Sequence, residues 1–595
     1  MKKKSILLFA ALAAGFAVVA GAADASRVFI WPKGKMPDVQ AHQIAAMTDE
    51  AGRPGFDRAQ HADPYLEWFE PPAADKRNGG CMILISGGGY GCCCDVGLIK
   101  MWREKFTAAG FQCVNFVYRT PRPNGLPIWQ SAWEDGQRAV RCVRAQAQAR
   151  GFDSERIGTM SMSAGSHLAT LLATSSQTPV YQPVDDLDQV PCHVNWAITG
   201  AIAYALTDGV GTENQRDGAS PDVRLDACFK FDAKTAPMCM FHGGSDVYSP
   251  CASTQVYRQL RRMKIPAELH LFADRPHGFW GADGKGDKAT GYDNWFDRAH
   301  EFLTQLGFTG KAPEPEVDIM TRFPNDDARG AYEKEDVWPK GRMPDAQAHQ
   351  CTPYLEWHFP KELKTKAIQI IYSGGSYMGN GPDGFEVAPA RRFLNEKGMT
   401  VVTMRYRTPR PNGLMKHVTA WEDLQRAIRI VRSKAESKGL DPNRIGIMGS
   451  SAGGHLTLMG ATTSRTHAYW PIDRLDRISC KVQWAVAIYP AYALTDGGEN
   501  PNAKGGNEDD SRLVPEFAFD LDTCPILFIH GDSDGWAAMN SVKCWEQLRR
   551  MGIQGELHTL AKRNHCFQAK ASPGTGSYTW LGRIWEFFNH KGFNK

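Results

Sequence analysis

"RIGIMGSSAGGHLT", residues 444–457, is the stretch from which the fold of this chain can be predicted, and a near-copy, "RIGTMSMSAGSHLA", occupies residues 156–169. Each begins as a short apolar run, typical of a buried strand, and continues into small residues that start a helix. Ser451 stands at the junction in the pattern G-x-S-x-G, which predicts a sharp turn that lifts a serine hydroxyl clear of the sheet. Ser163 is its counterpart. Because that copy begins with Ser161 instead of glycine, we expect a slight widening of strand from helix rather than loss of the turn.

The same motifs recur in the same order in both halves of the chain, among them "PYLEW", "YRTPRPNGL", "AWED" and "AYALTDG". A repeat of about 300 residues is the size of a complete domain and is too long for a solenoid unit. We predict a signal peptide over residues 1–25, a first domain over 26–308, a Pro-rich charged linker over 309–335 and a second domain over 336–595. The first domain also carries an insertion of 18 residues near 44–61.

Each unit alternates short apolar runs with longer amphipathic stretches. In the second unit, Thr419–Lys438 and Asn540–Met551 have apolar residues at helical spacing. Six short runs are typical of buried strands: "AIQIIYS", "TVVTMRY", "RIGIMGS", "VQWAVAIYP", "CPILFIHG" and "GELHTLA". Strands that alternate with helices predict an α/β fold in which a mostly parallel sheet is covered by helices on both faces. Functional side chains collect at the carboxyl ends of such strands.

An aspartate and a histidine follow each serine in a constant register. The second unit has "HGDSDGW" and "KRNHCF" after later strands, which place Asp534 and His565 on loops. The order Ser, Asp, His is that of the α/β-hydrolase triad, in which serine attacks, histidine transfers the proton and aspartate orients the histidine. The first unit supplies Ser163, Asp246 and His277, each 288 residues before its counterpart. Asp532 competes with Asp534 as the acid, but its counterpart is a glycine.

A glycine-rich loop follows the first strong strand of each unit, "SGGGY" in the first and "SGGSY" in the second. Backbone N–H groups in such a turn can point at the negative oxygen of a tetrahedral intermediate. We assign this oxyanion-hole role to the loop residues and to the residue after each serine: Gly88, Gly89 and Ala164 in the first unit, and Gly375, Ser376 and Ala452 in the second. A plain glycine-rich turn is the alternative, and no Lys-Ser or Lys-Thr pair follows that would indicate a phosphate-binding loop.

With these motifs in place the chain resembles the α/β-hydrolase superfamily, and more narrowly the bacterial carboxylesterases related to bifunctional feruloyl and acetyl xylan esterases. The resemblance covers both units and is carried by the loop, "YRTPRP", "WEDLQRAIRIVR", "DPNRIGIMGSSAGGHL", "HGDSD" and "PHGF". It implies hydrolysis of acetyl or feruloyl esters of plant polysaccharides through an acyl-enzyme, without a cofactor. Departures are Ser86 and Ser373 where many relatives have histidine, Ser376 for the third glycine, and Cys566 after His565.

The bulk composition and the amino terminus suit an exported enzyme. The formal net charge is +4 and comes from interspersed residues, so nothing indicates a nucleic-acid partner. Three lysines precede an apolar run from Ile6 to Ala20 and a small-residue cleavage site, which is typical of a secretory signal peptide. An uncleaved membrane anchor is the alternative. No later segment is long and apolar enough for a membrane span, so we expect a periplasmic or extracellular protein whose oligomeric state stays open.

Fifteen cysteines permit disulfides in an exported protein, but their number is odd and only Cys192 and Cys480 occupy matching places in the two units. The run Cys92–Cys94 raises the possibility of zinc. Adjacent cysteines do not easily share one tetrahedral ion and no His-rich segment is near, so no metal site is predicted.

Several other residues are interpreted as structural. His167 and His455, four positions after each serine, are expected to be packed and hydrogen-bonded inside a helix, and Trp133 and Trp421 to pack between helix and sheet. Asp208 and Asp496 could line the pocket but are also ordinary turn residues.

Two other classes of protein remain open. A serine peptidase of the prolyl oligopeptidase kind shares the hydrolase domain but usually has a β-propeller before it, and only about forty residues of mature chain precede the first shared motifs here. A binding module with one or both domains inactive is the third alternative, which the retention of both triads disfavours.

Overall fold

The computed structural model describes residues 26–42, 61–93, 96–207, 224–278, 294–323, 332–348, 351–495 and 511–595. The predicted signal peptide and nearly all of the predicted insertion lie outside these ranges. None of the described helices is both long enough and apolar enough to cross a membrane. The chain divides into two compact units, the first comprising Met1–Ala267, Arg275–Gly286 and Trp295–Ala312, and the second Glu268–Asp274, Asp287–Asn294 and Pro313–Lys595.

The strands of three or more residues in the first half are β1 Arg27–Phe29, β2 Tyr65–Trp68, β3 Cys81–Ile85, β4 Gln112–Val117, β5 Ile157–Met162, β6 Trp196–Gly200, β7 Met238–Gly243 and β8 Ala267–Phe272. Its helices are α1 Val96–Ala108, α2 Gln130–Ala145, α3 Ala164–Thr174, α4 Cys251–Arg262 and α5 Trp295–Gln305, with a short helix Ala147–Arg150. In the first unit the strand order is β1-β2-β4-β3-β5-β6-β7. The β1–β2 and β2–β4 pairs are antiparallel, and the pairs from β4 to β7 are parallel.

The second unit repeats this plan with β9 Tyr332–Asp336, β10 Tyr354–His358, β11 Ile368–Tyr372, β12 Thr400–Arg405, β13 Ile445–Ser450, β14 Trp484–Ile488, β15 Ile526–Gly531 and β16 Gly555–Leu560. Its helices are α6 Ala388–Glu396, α7 Val418–Lys434, α8 Ala452–Thr462, α9 Met539–Arg550 and α10 Gly576–Lys591, with a short helix Ile319–Arg322. The strand order is β9-β10-β12-β11-β13-β14-β15-β16, antiparallel at β9–β10 and β10–β12 and parallel beyond.

This order confirms the predicted α/β-hydrolase fold. In the second unit the chain moves from β11 to β12 in one direction and then reverses through β13 to β14. Because crossovers between parallel strands are right-handed, the reversal places α6 on one face of the sheet and α7 and α8 on the other. It also brings the carboxyl ends of β11 and β13 side by side, which is the place where open α/β sheets generally bind ligands.

The core of the second unit lies between its sheet and helices, and strands β11, β13, β14 and β15 are buried along their whole length. Trp484 is 1% exposed, and its indole lies directly over Gly446 on the neighbouring strand, where an added Cβ would come within 1.9 Å of Nε1. A glycine is therefore required at this point for the large ring to pack.

The domain boundaries stay a prediction, but the structure corrects one feature of the predicted linker 309–335. Its carboxyl end is not linker, because Tyr332–Asp336 forms a strand that pairs antiparallel with Tyr354–His358. Ile319 is fully buried in the core of the second unit. This edge strand could not be predicted from "YEKED", because four of its five side chains are exposed and it therefore lacks the alternation of apolar and polar residues that is typical of a strand.

Candidate active site

The turn from strand to helix after β5 and β13 holds the two serines in the same strained conformation. Ser163 has φ 57° and ψ −125°, and Ser451 has φ 56° and ψ −119°. A non-glycine residue adopts such angles only where the surrounding structure enforces them. Gly165 and Gly453 provide that enforcement, because a Cβ at these positions would come within 2.3 and 2.6 Å of the carbonyl oxygens of Ser86 and Ser373.

In the first unit the structure brings the three predicted residues together. His277 Nε2 lies 3.0 Å from Ser163 Oγ, and its Nδ1 lies 2.9 Å from Asp246 Oδ2. Asp246 is buried, whereas the His277 side chain is 24% exposed, so solvent and substrate reach the histidine but not the carboxylate.

The second unit has the same arrangement at slightly shorter distances. His565 Nε2 lies 2.8 Å from Ser451 Oγ, and its Nδ1 lies 2.7 Å from Asp534 Oδ2. Of the two aspartates in "HGDSD", Asp534 is therefore the one that contacts the histidine. The backbone N–H of Asp532 donates to the carbonyl oxygen of Leu560.

A second histidine in each unit, which the sequence analysis missed, contacts the same carboxylate. His242 Nε2 lies 3.3 Å from Asp246 Oδ2, and His530 Nε2 lies 3.2 Å from Asp534 Oδ2. Burial opposes ionisation of both aspartates, but hydrogen bonds from the two histidines outweigh it and hold the pKa of each carboxyl well below its ordinary value. The available signal was a histidine four residues before the aspartate in both copies.

Matching positions of the two glycine-rich loops have positive φ in both units. Gly88 and Gly375 have positive φ, and a Cβ there would come within 2.0 and 1.8 Å of the carbonyl oxygens of Cys92 and Gly379. Ser376 adopts φ 55°, close to the 62° of Gly89, so the loop keeps its shape where serine replaces glycine. Ala164 and Ala452 begin α3 and α8, and the first N–H groups of a helix have no partner within it.

The motif "YRTPRP" fixes this loop. In the second unit the Tyr406 hydroxyl donates to the carbonyl oxygens of Ser373 and Gly374 at 3.0 and 2.6 Å. Arg410 donates to the carbonyl oxygen of Ser376 at 2.9 Å and to the Tyr492 hydroxyl at 2.9 Å. The first unit repeats these contacts through Tyr118 and Arg122.

The acidic residues of the motif "AWED" hold the "YRTPRP" segment in place through its first arginine. Arg407 is buried, and its guanidinium pairs with Asp423 at 2.9 Å and Glu422 at 2.7 Å. Asp423 also accepts from the indole of Trp338 at 2.6 Å. Equivalent contacts join Arg119 to Asp135 and Glu134 in the first unit.

Ser161 is accommodated through hydrogen bonds. Its hydroxyl donates to the carbonyl oxygen of Ile198 at 3.1 Å and lies 3.2 Å from Ser166 Oγ. In the second unit a Cβ at Gly449 would come within 2.4 Å of the carbonyl oxygen of Gly453 and 2.6 Å of the Tyr372 ring. The surroundings of Ser161 accept a hydroxymethyl group, whereas those of Gly449 leave no room for one.

One wall of the second site carries polar groups that the first lacks. Glu386 is half-buried and accepts from the backbone N–H of Gly374 at 2.8 Å and from the Tyr489 hydroxyl at 3.3 Å. Burial raises the pKa of this carboxyl. Tyr489 packs edge-on against His565, with ring centroids 4.8 Å apart.

The matching positions of the first unit are apolar or small. Tyr489 corresponds to Ala201 in the 288-residue register that holds from Gly110 and Gly398 onward, and extending the same offset back through the preceding helix pairs Glu386 with Leu98. Both residues of the first unit are buried.

Of the residues interpreted as structural, the two histidines of the elbow helices are buried as expected. His167 is fully buried, its Nδ1 lies 2.8 Å from the Tyr90 hydroxyl, and burial lowers its pKa to about 3. His455 has the same contact with Tyr377. Trp133 is buried, whereas Trp421 is partly buried and donates to the Thr463 hydroxyl at 2.9 Å, so packing of these rings between helix and sheet stays a prediction.

No disulfide joins any of the fourteen cysteines that the structure describes. Asp208, Asp496 and Cys94 lie outside the described residues.

A mostly parallel sheet of this order, with a serine on the strained turn after its fifth strand and a histidine and aspartate on later loops, defines the α/β-hydrolase class. The chain belongs to the BD-FAE family, whose model matches it twice, over residues 66–260 and 355–545. The two matched segments lie one in each unit.

Individual relatives match part of the chain. An acetylxylan esterase of Xylanibacter ruminicola is 33% identical over 223 residues, which cover 35% of this chain and 42% of that protein. Endo-1,4-beta-xylanase B of Butyrivibrio fibrisolvens is 28% identical over 221 residues, which cover 35% of this chain and 33% of that protein. The chain thus spans less than half the length of these curated relatives.

Among solved structures, an acetyl ester-xyloside bifunctional hydrolase from Caldicellulosiruptor lactoaceticus is similar, with 25% identity and a TM-score of 0.37 over 44% of this chain and 97% of that one.

Proposed function

We propose that the protein is an exported serine carboxylesterase in which each of two tandem domains hydrolyses esters with its own Ser-His-Asp triad. The observation that carries the proposal is the hydrogen-bonded chain from serine to histidine to aspartate in both units. Its N···O distances are 3.0 and 2.9 Å in the first unit and 2.8 and 2.7 Å in the second. These distances lie within the range that proton transfer requires.

The chemistry follows from the contacts of Ser451, and equally of Ser163. His565 Nε2 removes the proton of the Ser451 hydroxyl as Oγ bonds to the ester carbonyl carbon. The same nitrogen then returns the proton to the departing alcohol, which leaves an acyl-serine. Water, activated in turn by His565, attacks the acyl carbon and releases the acid.

Asp534 supports this cycle electrostatically. It accepts a hydrogen bond from Nδ1–H of His565, which leaves Nε2 as the base facing Ser451, and its charge stabilises the imidazolium that forms. His530, on the other side of the carboxylate, helps to keep Asp534 ionised. Asp246 and His242 have the same roles toward His277.

The oxyanion is stabilised by the glycine-rich loop and the start of the elbow helix. In the first unit Gly88, Gly89 and Ala164 are proposed to donate their backbone N–H groups to it, and in the second Gly375, Ser376 and Ala452. Such donors, fixed in advance, contribute strongly because they need no reorganisation as charge develops. Arg122 and Arg410 fix the loops that carry them.

We propose acetyl or feruloyl substituents of xylan and similar plant polysaccharides as the substrates. The support is membership of the BD-FAE family together with relatives named for acetylxylan and xylan hydrolysis. The polar wall of Glu386 and Tyr489 in the second site, against Leu98 and Ala201 in the first, indicates that the two units prefer different acyl groups.

The test uses the full-length protein with p-nitrophenyl acetate, a peptide anilide, and acetylated and feruloylated xylan fragments. Turnover of esters without cleavage of the anilide is expected. Cleavage of the anilide would favour the peptidase alternative, and absence of turnover on every substrate would leave a binding function. Replacing both serines by alanine should abolish ester turnover, and activity that survives would refute the mechanism.

A further inference from the structure

Three potential metal ligands converge inside the second unit, away from the serine. His455 lies in α8, four residues after Ser451, His417 immediately precedes α7, and Glu516 lies in a turn after the strand Arg512–Leu513. Glu516 Oε1 is 3.4 Å from His455 Nε2 and 3.6 Å from His417 Nδ1. We call these three residues the His–His–Glu cluster.

The cluster is largely buried, and its facing atoms form long ion-pair contacts with one another but no hydrogen bond within the described residues. The side chains of His455 and His417 are 0% and 3% exposed, and that of Glu516 is 10% exposed. His417 Nδ1, His455 Nε2 and Glu516 Oε1 are buried atoms for which the described part of the chain offers no hydrogen bond. Because 3.4 and 3.6 Å are too long for good hydrogen bonds, the arrangement leaves a place for something that binds all three.

The spacing fits a tetrahedral ion. Zinc binds histidine nitrogen and carboxylate oxygen at about 2.0–2.2 Å, which in a tetrahedron places neighbouring ligand atoms about 3.4 Å apart. The two measured distances are close to this value, and all three atoms lie within 4.8 Å of one another. Two imidazoles and a carboxylate are ligands that suit zinc and related transition ions.

The second nitrogen of His455 is held as in known metal sites. Its Nδ1 lies 2.8 Å from the Tyr377 hydroxyl, and when Nδ1 carries the proton that this contact uses, Nε2 presents its lone pair to the cluster. Such outer hydrogen bonds fix the tautomer and orientation of metal-binding histidines. Lys416, the nearest cation along the chain, has its ammonium 4.9 Å from the centre of the Tyr492 ring.

The first unit provides an internal comparison. Its matching residues, 288 positions earlier, are Trp129, His167 and Cys228. His167 keeps the contact with Tyr90 at 2.8 Å, but Trp129 packs against it with ring centroids 5.3 Å apart, and Cys228 Sγ is 3.9 Å from Nε2. The tryptophan ring replaces a nitrogen ligand, so this arrangement is particular to the second unit.

We propose that His417, His455 and Glu516 bind one divalent zinc-type ion. The ion would join the elbow helix, the start of α7 and the 512–517 turn, one hydrogen bond behind Tyr377 of the glycine-rich loop. Its role is to stabilise the second unit, separate from the ester chemistry.

The test measures zinc binding by the purified full-length protein after chelator treatment and dialysis. Added zinc chloride should bind at one equivalent per chain in calorimetry and raise the melting temperature. Glu516→Gln keeps every cysteine and histidine but removes a charged ligand, and it should weaken zinc binding by more than about 10-fold. Tyr377→Phe removes the hydrogen bond to Nδ1 of His455 and should weaken zinc binding by about 10–100-fold. The matched control Cys228→Ser, in the first unit, should bind as the parent does.

Three results would overturn the proposal: no stoichiometric zinc, which would indicate a bridging water; equal affinity in Glu516→Gln, which would indicate binding elsewhere; or an octahedral cobalt spectrum. The cobalt(II) form of the unmodified protein provides a measurement that does not depend on any variant folding. It should show the absorption of a tetrahedral nitrogen and oxygen site without thiolate charge-transfer bands.

Discussion

Gly449→Ser places in the second elbow the residue that the first elbow already has, and we expect it to be harmful. Its Cβ would come within 2.4 Å of the carbonyl oxygen of Gly453, where real Cβ contacts essentially never fall below 3.0 Å. The elbow must therefore open by about 0.6 Å, and overpacking of this kind costs about 1–3 kcal/mol. Displacement of a nucleophile by about 1 Å can lower the rate by about 10²-fold, so we expect turnover by the second unit to fall at least tenfold.

The assay isolates one unit at a time. Gly449→Ser is measured in a Ser163→Ala background, and its matched control, Ser161→Gly, in a Ser451→Ala background. Ser161→Gly removes a hydroxyl bonded to the carbonyl oxygen of Ile198 but creates no overlap, so a loss of about 1 kcal/mol and a small change in turnover are expected. Unchanged melting and turnover in Gly449→Ser would refute the packing argument.

Asp534→Asn should lower kcat of the second unit by roughly 10³–10⁴-fold on p-nitrophenyl acetate, because Nδ1 of His565 loses its charged acceptor; a loss below tenfold would contradict this role. Since the folded pKa values of Asp246 and Asp534 lie below the unfolded value of about 3.9, the stability they contribute is complete above about pH 4 and disappears at lower pH. The difference in unfolding free energy between Asp534→Asn and its parent should therefore narrow progressively as the pH falls from about 4 toward the folded pKa, and a difference that stays constant would argue against it. Arg410→Met should lower kcat more than it raises KM, by less than the roughly 10²–10³-fold of losing an oxyanion donor, and an effect on KM alone would disprove loop positioning. Glu386→Leu should shift the acyl preference of the second unit toward that of the first, measured as the ratio of kcat/KM for acetyl and feruloyl esters, and an unchanged ratio would exclude the polar wall as its cause.

The fold and the serine, histidine and aspartate of each unit were predictable because the duplication provides two copies in constant register. A single "GSSAG" occurs in ordinary helix starts, but three residues with the same 288-residue offset do not arise by chance. The strands could also be predicted from the sequence, since buried parallel strands are continuously apolar.

Other features depend on tertiary contacts that no local pattern reveals. His417 and Glu516 are far apart in sequence and meet His455 only because the sheet order brings α7, α8 and the 512–517 turn together. Nothing in the sequence distinguishes Glu386 from other charged residues. Only the fold shows that its carboxylate accepts a hydrogen bond from the backbone N–H of Gly374. The strand Tyr332–Asp336 has no apolar alternation because it lies at a sheet edge.

The central claim, that both serines are reactive nucleophiles, is tested most directly by intact-mass spectrometry after treatment with a serine-directed phosphonate. The account predicts two adducts per unmodified chain, one on Ser163→Ala, one on Ser451→Ala and none on the double variant. A single adduct on the unmodified chain, lost completely in one of the single variants, would show that the other unit is not a working hydrolase and would contradict the account.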